Sequence, residues 1–109
     1  MKPDPAILDE LVRRTVESVH PFRIILFGSA ARGDMGPNSD LDTLVVMPDQ
    51  SDCRGVAKIL VRRLRGLGCA ADIVVVRQSD IEADQDGENP YPGLHRALTE
   101  GQEIYRSAS

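Results

Sequence analysis

The stretch ILFGSAARGDMGPNSDLDTLVV, residues 25–46, decides how this chain is to be read. An isoleucine-rich run, RIILF at 23–27, ends abruptly at Gly28 and Ser29. A short apolar run bounded by turn residues is the signature of a buried strand. SAARG is long enough for one helical turn, and the Gly, Pro and Asn of DMGPNS mark a loop. DLDTLVVM, residues 40–47, then reads as a second strand that stops before Pro48. Asp40 and Asp42 stand inside this otherwise apolar run. Carboxylates are rarely buried without a partner, so that face of the strand meets either solvent or a cation.

Side chains alternate along a strand, so Asp40 and Asp42 share a face, with Cα atoms roughly 6.5–7 Å apart. Leu41 points the other way, toward a core. Two carboxylates so placed can reach one cation, or two cations about 3.5–4 Å apart. Their hard oxygen donors suit Mg²⁺, which completes its shell with water and phosphate oxygens. Asp72 opens a third apolar run, ADIVVV, where a charge is again out of place. If the second and third strands are neighbours, Asp72 joins Asp40 and Asp42 on one face. Gly28 supplies the complement, because a glycine at a strand end lets backbone amides approach a phosphate, and the Ser29 hydroxyl adds a donor.

Outward from this centre, Ile7, Leu8, Leu11, Val12, Val16 and Val19 fall at helical spacing. Asp4 serves as cap and Pro5 as first-turn residue, which predicts a helix over 5–19. SDCRGVAKILVRRLRGLG, residues 51–68, predicts a second long helix capped by Ser51 or Asp52, with Val56, Ile59, Leu60, Val61, Leu64 and Leu67 as a broad apolar face. AADIVVVR is a β-branched strand over 70–77. Residues 78–93 are acidic, contain two prolines and read as a surface loop. LHRALTEGQEIYR resumes helical spacing through Leu94, Leu98 and Ile104, with Gly101 a break point. The order helix, strand, turn, strand, helix, strand, helix implies an α+β domain, a small sheet backed by helices.

The 109 residues allow one domain, 1–109, with a single core. No apolar run approaches the ~20 residues of a membrane span. MKPDPAILDE lacks the apolar centre of a signal peptide, so a cytoplasmic location is expected. Cys53 and Cys69 have neither CxxC spacing nor histidine companions and read as reduced thiols rather than zinc ligands. A formal charge of −4 does not suit a general nucleic-acid binder, whose affinity rests on neutralising phosphates. A polyphosphate remains within reach if metal ions bring the positive charge.

GSAARG, SDLDTLVV and ADIVVV together resemble the minimal nucleotidyltransferase domains of the DNA polymerase β superfamily, which share a GS-x-x-RG turn, a D-x-D strand and a third-strand aspartate. The resemblance runs from the first helix to LTEGQEIYR and implies the family's small mixed sheet flanked by helices. It also implies ATP as nucleotide donor, two Mg²⁺ ions, and transfer of a nucleoside monophosphate to a hydroxyl. By position, Gly28 and Ser29 would hold the triphosphate. Asp40 and Asp42 would bind both metals, and Asp72 would help bind the catalytic metal and orient the acceptor hydroxyl. Arg32 would approach phosphate or brace the turn through a carboxylate. Small prokaryotic members pair with helical HEPN proteins as toxin–antitoxin systems, which implies an antitoxin that adenylylates a toxin tyrosine, in a hetero-oligomer with that partner. Larger relatives carry an acceptor-binding domain for which 109 residues leave no room, so the acceptor surface is expected on the partner.

Blander readings stand beside these. The D-x-D acids could belong to a solvated turn, Asp72 could begin a surface strand, and Ser29 could be a helix cap. Arg54, Lys58 and Arg62, spaced i, i+4, i+8 with Arg63 and Arg65 beside them, form either a solvated face or a docking stripe for an acidic partner. His95 and Tyr105 read as surface or packing residues. The competing function is a non-catalytic nucleotide-binding module that neutralises its partner by contact.

Overall fold

The computed structural model describes residues 3–36, 39–85 and 94–107. Helix α1 spans Pro5–Val19, where the Asp4 carboxylate accepts from the Ala6 amide at 2.9 Å and Pro5 fills the first turn. Its end is closed by His20 in the left-handed conformation, φ 52°, and Pro21 follows. Strand β1 is Arg23–Phe27, and helix α2, Gly28–Arg32, is the one turn expected of SAARG. Strand β2 is Leu41–Met47, helix α3 Cys53–Arg63 and strand β3 Ala71–Arg77.

Two expectations are corrected beyond this point. Residues 78–93 were expected as a loop, but Gln78–Gln85 form helix α4; the remainder of that expected loop, 86–93, lies outside the described residues. Its start is held by side chains rather than by an amphipathic pattern. Asp80 accepts from the Arg77 amide at 2.8 Å, Asp49 accepts from the Ser79 amide at 2.9 Å, and Ile81 is the buried anchor. The last segment is not one helix. Helix α5, Leu94–Glu100, gives way at Gly101 to strand β4, Gln102–Arg106, and Tyr105 packs from that strand. The edge of β1 captures β4, and Glu103 links the two by accepting from Arg23 at 2.6 Å while also meeting Arg106. Burial pushes the Glu103 carboxyl upward, but hydrogen bonds from Arg23 and Arg106 prevail and hold it below the ordinary carboxylate range. The side chain of His95 lies outside the described residues.

The sheet has the order β3-β2-β1-β4. β2 and β3 run parallel and the other pairs antiparallel, so the sheet is mixed, and α3 makes the crossover that a parallel pair requires. One face carries Leu41, Val45 and Met47 against Leu11, Leu60 and Leu64 of the α1–α3 side. The other carries Ile25, Leu44, Val46 and Val76 against Ile81 of α4 and Leu94 and Ala97 of α5. Of the apolar face expected on α3, Val56, Leu60, Leu64 and Leu67 are buried. Ile59 and Val61, at 44% and 62% exposed, are not. At 100° per residue they flank the buried stripe on opposite sides, where neither α1 nor the sheet reaches.

Gly101 occupies the switch between α5 and β4 because nothing larger fits. A Cβ there would lie 2.6 Å from Ile25 Cγ2 and 3.0 Å from the Leu26 carbonyl oxygen, and against the Ala97 carbonyl as well. Gly101→Ala should therefore destabilise the fold by at least about 2 kcal/mol, since backbone cannot yield as a side chain does. Urea unfolding checks this; an unchanged midpoint would mean that the switch is looser than drawn.

Candidate active site

The parallel register pairs Asp42 of β2 with Asp72 of β3, and residues so paired project from the same face about 4.8 Å apart. On its other side Asp42 is paired with Phe27. The face these acids share is the one covered by α4 and α5, yet the cover is graded. Along β3, Asp72 is exposed, Val74 half-buried and Val76 fully buried; along β2, Asp42 is half-buried while Leu44 and Val46 are buried. The acids thus stand at the uncovered end of an otherwise apolar face. Asp40 is exposed and lies just before β2, so the strand expected from 40 begins at Leu41. Its position is set by the Leu41 amide, which donates to the Ala70 carbonyl at 2.8 Å and starts the pairing of the two strands.

The Asp42 carboxyl is pushed above its ordinary range, first by burial, then by the negative charges of Asp72 and Asp40, with Arg32 opposing. Asp72, Asp40 and Arg32 thus all lie close enough to act on Asp42. They stop short of enclosing an ion: among the described residues no group of three or more His, Cys, Asp or Glu side chains forms a ready metal cage. The donor set nonetheless fits Mg²⁺, which takes few protein carboxylates and fills its shell from water and phosphate. Asp42 and Asp72 form the adjacent pair, with Asp40 at the rim.

Gly28 begins α2 at φ +66°, and a Cβ on it would collide with the Asp42 carboxylate, whose Cγ would lie at 3.2 Å. The glycine expected for close approach to phosphate is thus also required by the acid across from it. Ser29 is not a cap: it lies within α2, half-buried, and its carbonyl accepts from the Asp34 amide at 3.1 Å. Arg32, exposed, meets the Asp34 carboxylate at 3.2 Å, where the sequence allowed it either a phosphate or a carboxylate partner.

Two residues here escaped the sequence reading. Asp34 is the partner of Arg32, signalled by nothing beyond its place in an R-G-D run. Thr43 is fully buried on the core face between the acids' neighbours, and its hydroxyl donates to the Leu41 carbonyl at 3.1 Å. A polar residue in a buried strand was the available signal.

A model of the nucleotidyltransferase domain family matches residues 7–98 of the chain. A search of curated proteins found no match. Among solved structures, a toxin–antitoxin with AMP-PNP is similar at a TM-score of 0.55 and 20% identity, over 93% of this chain and 74% of that one. The toxin–antitoxin MntA–HpeT, in mutant form, is similar at 0.55 and 18%, with the same coverage. A protein of Sulfolobus solfataricus described as a nucleotidyltransferase gives 0.54 and 18%, over 95% of this chain and 90% of that one. At such identities the likeness shows a shared fold.

The electrostatics of Asp42 have a consequence for stability. Its carboxyl in the fold titrates above the value of an unfolded chain, so ionisation is disfavoured by folding. The penalty is absent at acid pH and appears as pH rises through the folded value. Asp42→Asn should therefore raise the Tm of the protein at neutral pH in chelator, and the gain should vanish on acidification. Thermal unfolding across pH 3–8 checks it; a lower Tm at neutral pH would mean that the carboxylate is structurally engaged instead.

Proposed function

The chain belongs to the nucleotidyltransferase domain family, and from that premise we propose that it moves AMP from ATP to a tyrosine hydroxyl of a HEPN toxin, and is thereby an antitoxin. The observation that carries the reading is the register that sets Asp42 beside Asp72 at the open end of the sheet, over the Gly28 turn. Likeness in fold to toxin–antitoxin structures, one of them with AMP-PNP, supports the choice of partner and nucleotide.

Two Mg²⁺ ions, held by Asp40, Asp42 and Asp72, would neutralise the triphosphate and the departing pyrophosphate. The protein's own groups do the rest. Gly28 and Ser29 offer backbone amides and a hydroxyl to the triphosphate, and Arg32, tied to Asp34, sets the end of that turn. Asp72, exposed at the outermost strand, is the acid an incoming hydroxyl meets first. It orients the oxygen for in-line attack on the α-phosphorus and takes its proton. The new O–P bond forms as the bond to the β-phosphate oxygen breaks, and pyrophosphate leaves. Asp42 and Asp72 repel one another; a site built this way gives up stability for negative charge placed where cations would be held.

Incubation of the protein with Mg²⁺, α-labelled ATP and a HEPN toxin should label the toxin on tyrosine. Asp42→Asn and Asp72→Asn should each reduce labelling by about 100-fold or more. Toxin that is neutralised equally well by Asp42→Asn, with no label in either case, would overturn transfer and leave the contact-binding module.

A further inference from the structure

A groove of about 640 Å³ lies between α3 and the outer edge of β3. Leu60, Leu64 and Ile73 make its apolar floor, Val61 and Arg65 its helix-side rim, and Asp72 belongs to its lining. Ile73 and Asp72 lie on opposite faces of β3, so the groove ends beside the site just described without being part of it, and an extended segment along the strand edge would present alternate side chains to both. Arg14 donates to the Arg63 and Arg65 carbonyls at 3.3 and 2.9 Å, anchoring the end of α3 to α1.

Three features of the groove agree on what would fill it. Val61 is 62% exposed, an apolar side chain left on the rim. Arg54 and Lys58 lead to Val61 at spacings of four and three, so helical geometry sets them on the same flank, and Arg65, in the turn beyond the helix, shares the groove's rim with Val61. All are exposed, and no ion pair among the described residues engages them, although the chain as a whole carries −4. β3 stands at the end of the sheet and pairs only with β2 among the described strands. An unpaired strand edge is a template for extended backbone, with side-chain pockets giving specificity.

We propose that this groove docks an extended, acidic segment of the acceptor protein, laid along the edge of β3 with an apolar side chain over Val61 and Leu64, so that the segment's hydroxyl arrives at Asp72. The inference rests on the transfer reading for the role of Asp72, and adds to it the chemistry of the substrate that the chain selects. Acidic residues of the segment face Arg54, Lys58 and Arg65, which steer the encounter and reject basic sequences.

The test measures docking without chemistry. Fluorescein-labelled random copolymers of glutamate with tyrosine, and of lysine with tyrosine, are titrated with the protein in chelator and without ATP, by anisotropy. The glutamate copolymer should bind and the lysine copolymer should not. Lys58→Glu/Arg65→Glu should weaken binding about tenfold or more, and Val61→Asn, which changes no charge, should weaken it severalfold. Arg63→Glu/Arg106→Glu, the same charge change placed away from that flank, one on the Ile59 side of α3 and one on β4 at the far end of the sheet, should alter it less than about twofold. These positions are exposed, and circular dichroism checks that each variant folds. No binding, a preference for the lysine copolymer, or equal losses from the two double variants would overturn the proposal. So would binding confined to a single-stranded RNA probe, or a dimer of this chain that Val61→Asn abolishes. Because ATP and metal are absent, failure here leaves nucleotidyl transfer standing, and failure of transfer with docking intact leaves the groove standing.

Discussion

The structure turns on two carboxylates that a parallel strand register forces together. Asp42 is paired with Phe27 on one side and Asp72 on the other, half-buried and short of compensating charge, and its carboxyl is pushed upward accordingly. In a chain of this size a frustrated acid pair consumes part of a small margin of stability. The fold tolerates it because the remainder of both strands is invested in burial: Leu44, Val45 and Val46 are buried, as are Val75 and Val76 beside them. Strong apolar pairing over most of the strand holds the unfavourable pair in register at its end.

That register also explains the layers. α3 is the crossover that makes β2 and β3 parallel, and with α1 it covers one face. Cover on the other face comes from α4 and α5 and thins toward Asp42 and Asp72. The graded burial leaves the acids accessible while their strands are anchored. α2 closes the end from the side, with Gly28 admitting the Asp42 carboxylate where any side chain would collide. Binding chemistry and strand packing are thus served by alternate residues of one strand, Asp42 outward and Leu41 and Thr43 inward.

α3 divides its labour in a comparable way. Leu60 and Leu64 hold the core, whereas Val61 and the cations of its flank are left unmatched along the edge of the sheet. An exposed apolar residue alone needs no explanation. Its alignment with Lys58 and Arg65 beside a groove that reaches Asp72 ties the outer surface of the helix to the chemistry of the inner strand.

Local chemistry made much of this legible in advance. The capped helix over 5–19, the strand at 23–27, the glycine–serine turn and the acids at 40, 42 and 72 are written in turn residues, apolar runs and misplaced charges, all of which act within a few neighbours. What tertiary structure alone decided is of another kind. Gln102–Arg106 became a strand because β1 offered it an unpaired edge, overriding a helical spacing that ran on past Gly101 to Ile104. Gln78–Gln85 became a helix on side-chain caps from Asp49 and Asp80 and the burial of Ile81, with little periodicity to announce it. Ile59 and Val61 fell outside the core because the reach of neighbouring elements, not hydrophobicity, determines which flank of a helix is covered. The identity of the acidic residues was local; that Asp42 and Asp72 repel one another across adjacent strands is a fact of register, which no single segment contains.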